Sequence, residues 1–159
     1  TGHAFAQKLR GFGCRVISYD KYKSGFGNNY ITECDMKTMY ANAEIISLHI
    51  PLSKDTSYLL NNHFIKKMKN PFYVINTSRG RIVSTKDLIV GLKEKKILGA
   101  CLDVIENEKS TFSGINIDKY FNYLLNCQNV IMTPHIAGLS KESNKKLSNI
   151  LIEKILELT

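Results

Sequence analysis

Strand-length apolar runs alternate with segments of helical period along nearly the whole chain, and this alternation restricts the fold more than any other feature. Residues 4–10 (AFAQKLR) predict a helix closed by Gly11-Phe12-Gly13, and 15–19 (RVISY) a short strand ending at Asp20. Residues 35–42 predict a helix, and 44–49 (EIISLH) a buried strand that Pro51 terminates. A helix over 61–68, a strand over 72–76 (FYVIN) and a helix over 85–96 follow, the last opening on Ser84-Thr85-Lys86-Asp87, close to a capping box. Residues 98–104 (LGACLDV) and 130–133 (VIMT) predict two further strands, and 141–158 a long amphipathic helix. Strands that are apolar throughout, with helices between them, indicate a parallel sheet covered on both faces, a doubly wound α/β fold. Residues 105–116, polar and containing Gly114, read as the one long loop, and loops of that length in compact domains are usually functional.

A chain of 159 residues supports one core and one domain. It has no run of about 18 apolar residues and no charged-then-apolar leader at Thr1, so a cytoplasmic protein with no membrane partner is expected. Cys14, Cys34, Cys101 and Cys127 lie far apart without metal-ligand spacing; reduced thiols and no metal site are expected, with Cys14 and Cys101 as small buried hydrophobes. The formal charge of +8 comes from lysines spread along helix faces without interleaved aromatic residues, which argues against a nucleic-acid partner. Its field would still attract anionic ligands.

In an open parallel sheet, ligands bind beyond the carboxyl ends of the strands. The residues just past the predicted strands are Asp20, Pro51, Thr77-Ser78-Arg79-Gly80, Asp103 with the 106–108 loop, and Pro134-His135. An arginine, acidic groups and a histidine therefore collect on one edge. Asp20 lies 18 residues after Gly2, where a carboxylate would accept bonds from an adenosine ribose and repel a 2′-phosphate, favouring NAD over NADP. Thr1-Gly2 reads as the tail of a G-x-G-x-x-G phosphate turn. On that alignment the chain is a fragment whose sheet lacks its first, central strand.

Arg79, where a strand runs into a tight turn, suits bidentate capture of a substrate carboxylate. His135 suits proton transfer near neutral pH, and Glu108 suits the carboxylate that orients it. Reduction of a 2-keto acid requires these parts. His3, His49 and His63 lack such company.

Residues 43–61 (AEIISLHIPLSKDTSYLLN), 68–83 (MKNPFYVINTSRGRIV), 99–108 (GACLDVIENE) and 129–138 (NVIMTPHIAG) resemble, in order and spacing, the nucleotide-binding domain of the D-isomer-specific 2-hydroxyacid dehydrogenases. The resemblance runs from Thr1 to about Leu158. It implies a Rossmann-like, NAD-binding domain over 1–159, a separate substrate domain that this chain does not contain, and a homodimer for the complete protein. It implies that Arg79 binds the substrate carboxylate, His135 donates the proton and Glu108 is its partner. Cofactor contacts are implied at Gly2, Asp20, Ile50, Pro51, Thr56, Thr77, Ser78, Arg79, Asp103, His135 and Gly138. A phosphoglycerate dehydrogenase-like activity on a small 2-hydroxy acid is expected, with a non-catalytic cofactor sensor or an inert fragment as alternatives. Formate dehydrogenases share the scaffold without the paired glutamate. The sequence departs from the family pattern at Glu44, Ser84, Ile105 and Lys109.

Overall fold

A computed structural model describes residues 1–106 and 119–157. The element order is α1 Gly2–Lys8, β1 Val16–Ser18, β2 Ile31–Glu33, α2 Met36–Asn42, β3 Ile45–Leu48, α3 Asn62–Lys67, β4 Phe72–Asn76, α4 Thr85–Lys93, β5 Ile97–Leu102, α5 Lys119–Leu125, β6 Val130–Met132 and α6 Lys141–Leu156. Every strand pair among them is parallel. The strands form two sheets, β1-β2 and β3-β4-β5-β6. No strand pairing joins the two sheets among the described residues.

Side-chain caps set several helix starts. Asp35 accepts from the Thr38 amide at 2.7 Å, Asn61 from Phe64 at 3.1 Å and Ser140 from Ser143 at 3.0 Å. At α4, Ser84 Oγ accepts from the Asp87 amide at 3.4 Å, but Asp87 does not close the reciprocal half of a capping box. Its carboxylate instead accepts from the Asn62 amide at 3.0 Å, joining α4 to the start of α3.

Residues Ile46, Leu48, Phe72, Val74, Ala100 and Leu102 share one face of the larger sheet and pack against Phe64 and Ile65 of α3, Leu88, Ile89 and Leu92 of α4, and Leu124 of α5. The opposite face is lined by Ile45, Tyr73, Cys101 and Ile131, all exposed.

Four expectations need correction. The first helix starts at Gly2, and a 3-10 turn over Leu9–Phe12 follows it before Gly13 turns left-handed at φ 65°. β2 and α5 were not expected: β2 is three residues long, and α5 (KYFNYLL) is too short and aromatic to show a helical period. The fourth helix stops at Lys93, because Lys95 takes φ 56° and turns the chain into β5, which ends at Leu102. Cys14 and Cys101 are exposed, not buried; strand alternation puts Cys101 on the open sheet face. No helix among the described residues is long and apolar enough to cross a membrane.

Candidate active site at the carboxyl edge of the sheet

The turn after β4 is built around Asn76, which is only 1% exposed. Its Nδ2 donates to the Arg79 carbonyl and its Oδ1 accepts from the Ser78 amide, both at 3.1 Å, so one amide side chain clamps both limbs of the turn. Ser78 Oγ donates to the Leu48 carbonyl at 2.6 Å and fastens the turn to β3. Arg79 stays exposed, with Nη1 donating to the Ser78 carbonyl at 2.7 Å. Gly80 must be glycine: an added Cβ would overlap the backbone of Ile105, which crosses directly over it. Ile105, aliphatic where the family often has an aromatic residue, is buried.

Beside this turn is a hollow of about 390 Å³ lined by Thr1, His49, Ile50, Pro51, Leu52, Thr77, Ser78 and Arg79. Thr56 shapes its rim: its hydroxyl donates to the Pro51 carbonyl at 2.6 Å and accepts from the Ser53 amide at 2.8 Å. His49 Nε2 pairs with Ser47 Oγ at 2.9 Å, while its buried Nδ1 has no partner among the described residues. Burial lowers the His49 pKa and favours the neutral ring. Gly2 lies against His49, where a Cβ would sit 3.1 Å from the histidine Cβ.

Asp20 stands at the end of β1, exposed; its Oδ1 accepts from the amides of Tyr22 and Lys23 at 2.8 and 3.1 Å. Its neighbour Lys21 is drawn away to Asp55 at 2.7 Å, which raises the lysine pKa and lowers that of the carboxylate.

Asp103 is 4% exposed and organises the loop after β6. Its Oδ1 accepts from Thr133 Oγ1 at 2.6 Å and the Ile136 amide at 2.9 Å, and its Oδ2 from the Ala137 amide at 3.0 Å. Burial alone would raise its pKa, but these three donors and the nearby His135 together hold it below the usual carboxylate range. The backbone carbonyl of Asp103 also accepts from the His135 amide at 3.0 Å, and His135 takes the left-handed conformation, φ 54°. The Asp103 amide in turn donates to the Asn76 carbonyl at 3.0 Å. A continuous hydrogen-bonded path therefore runs from the Arg79 turn through Asn76 and Asp103 to His135.

Sequence reasoning passed over Asn76, set His49 aside and read Asp103 only as a cofactor contact. Gly138 is exposed with open space around it. Glu108 and Lys109 lie outside the described residues. The chain leading to them is anchored by Glu106, whose Oε2 accepts from the Thr85 amide at 2.6 Å. No group of metal-ligating side chains occurs among the described residues.

The edge fits a dinucleotide on its own terms: the hollow is walled by backbone and small polar groups, the unpartnered His49 Nδ1 borders it, and Asp20 keeps one carboxylate oxygen without a partner among the described residues.

Comparison with known proteins agrees. A D-specific alpha-keto acid dehydrogenase of Enterococcus faecium is 35% identical over 98% of this chain and 49% of its own length. A D-lactate dehydrogenase of Escherichia coli is 33% identical over 99% of this chain and 50% of its own. The NAD-complexed D-isomer specific 2-hydroxyacid dehydrogenase of Lactobacillus delbrueckii ssp. bulgaricus superposes with a TM-score of 0.87 at 31% identity, covering 99% of this chain and 49% of that one. The chain thus spans about half the length of the relatives it matches. Residues 1–137 match the NAD binding domain of the D-isomer specific 2-hydroxyacid dehydrogenases, and the chain belongs to that family.

Proposed function

We propose that this chain is the NAD-binding domain of a dehydrogenase acting on a D-2-hydroxy acid and its 2-keto acid, with the catalytic edge on this domain and the substrate domain elsewhere in a longer protein. The observation that carries the reading is the path joining Arg79 to His135 through Asn76 and Asp103, because it ties the backbone at these two residues, from different loops, onto one scaffold. Thr77, Ser78, Ile50, Pro51, Thr56, Gly2 and Gly138 would border the dinucleotide, and Asp20 would hold the ribose hydroxyls. When bound, NAD(H) supplies or takes up the hydride.

Arg79 grips the substrate carboxylate and polarises the adjacent carbonyl. His135 gives its proton to the oxygen that becomes the hydroxyl, and recovers one in the reverse direction. Glu108 would be the partner of His135. Relatives named for D-lactate, D-alpha-keto acid and glyoxylate chemistry support a short, unphosphorylated acid such as pyruvate. The +8 charge supports the second reading, a phosphorylated, phosphoglycerate-like substrate in a cytoplasmic enzyme.

Calorimetric titration with NADH, followed by NADH oxidation with pyruvate and with a phosphorylated 2-keto acid, tests this. Arg79→Ala should abolish turnover of either acid while weakening NADH only slightly, whereas Asp20→Ala should weaken NADH strongly and narrow its advantage over NADPH. NADH binding without any turnover in the complete protein would favour a cofactor sensor. No NADH binding at all would sink the reading.

A further inference from the structure

The loops that follow β1 and β3 approach each other at the cofactor edge, and one side-chain pair joins them. Lys21 Nζ lies 2.7 Å from Asp55 Oδ2, and the two side chains are 56% and 60% exposed. An exposed ion pair contributes little to stability, so the fold does not require this one. Its position gives it another use. Lys21 follows Asp20 directly, and Asp20 is the residue proposed to hold the ribose hydroxyls.

Both backbones are pinned, which leaves the lysine stem as the part that can swing. On one side, Asp20 Oδ1 accepts from the amides of Tyr22 and Lys23 at 2.8 and 3.1 Å. On the other, Thr56 Oγ1 donates to the Pro51 carbonyl at 2.6 Å and accepts from the Ser53 amide at 2.8 Å. The Ser57 amide donates to the Ser53 carbonyl at 2.9 Å, and the Tyr58 amide to the Arg81 carbonyl at 2.7 Å. Asp55 is thus a carboxylate carried on a fixed turn, and Lys21 a cation on a long flexible stem.

The pairing sets the charge that a nucleotide would meet. With Lys21 held by Asp55 the two charges offset each other, and Asp20 keeps its own charge, with one oxygen unpartnered among the described residues. A ribose 2′-hydroxyl can donate to such an oxygen, whereas a 2′-phosphate is repelled by it. With Lys21 released, Asp20 would be accompanied by the ammonium groups of both Lys21 and Lys23, which suit a phosphate as point charges. The choice between the two nucleotides then depends on a residue 34 positions from Lys21.

We propose that Asp55 is a specificity-determining residue: by holding Lys21 across the edge, it keeps the nucleotide site selective for a ribose with a free 2′-hydroxyl. The proposal rests on the dinucleotide reading above and adds to it a residue that acts through Lys21.

Calorimetric titration of the complete protein with NADH and with NADPH tests it in four forms: unmodified, Asp55→Asn, Lys21→Met, and both substitutions together. Asp55→Asn should tighten NADPH about tenfold, as one charge-assisted hydrogen bond at an exposed site can, and change NADH less than about twofold. In the Lys21→Met background the same substitution should bring no gain. An NADPH affinity that Asp55→Asn leaves unchanged overturns the proposal. So does an equal gain without Lys21, because Asp55 would then act by its own charge. Failure of the unmodified protein to bind NADH overturns the dinucleotide reading and this proposal with it, whereas NADH binding with no change in NADPH overturns this proposal alone.

Discussion

At the scale of single residues, the site depends on buried side chains that hold its loops in place. Asp103 accepts three hydrogen bonds from one short loop and so holds His135 in a left-handed conformation that costs a non-glycine residue about 1 kcal/mol. Because its pKa is lowered in the fold, its contribution is present above the unfolded value of about 3.9 and is lost as pH falls through the lower folded value. Asp103→Asn should therefore cost about 1–3 kcal/mol at neutral pH, with the difference from the parent shrinking below about pH 4; thermal denaturation across pH reads both. His49 has the opposite chemistry but the same direction. Its ring is kept neutral by burial, so the stability tied to it is complete above about pH 6.5 and is lost as pH falls below that value. Gly80→Ala should destabilise by about 3 kcal/mol or more, since the methyl group meets backbone that has no room to move, and urea denaturation would show it. Arg79 and His135 are legible in sequence because strand ends can be read from apolar runs. The anchoring role of Asp103 is not, because its partners lie 30 to 34 residues away.

At the scale of elements, burial separates residues that sequence treats alike. Leu88 and Val90 share α4, but Leu88 is fully enclosed while Val90 is exposed. Leu88→Ala should cost about 2–5 kcal/mol, whereas Val90→Ala should stay within about 0.5, as judged by denaturant midpoints. The long apolar runs that became β3, β4 and β5 were readable because a strand buried in the middle of a sheet needs few polar positions. β2 was not, since three residues between Asn28 and Asp35 carry no period, and it is fixed instead by pairing with β1. The ends of α4 and β5 were misplaced for a related reason: they are set by the left-handed Lys95 and by the turn at Asp103, which are tertiary in origin. Ser84, which departs from the family pattern, caps α4 all the same.

At the scale of the whole molecule, cofactor and fold are linked. If NADH binds the folded chain alone, a concentration of about 100 times its dissociation constant should add about 2.7 kcal/mol of stability, and an unchanged melting temperature would contradict the proposed site. The parallel pairing of every strand has a kinetic corollary. Among the described residues no ladder can form as a local hairpin; even the shortest closure, Val16 with Ile31, must wait for the intervening chain to fold back, and the pairing of Ala100 with Val130 spans more still. Such topologies acquire their native contacts late, on a scale of milliseconds to seconds. Throughout that interval Ile45, Tyr73 and Ile131 stand open to solvent, so the yield of refolding should fall steeply with protein concentration and recover when a holdase chaperone is supplied.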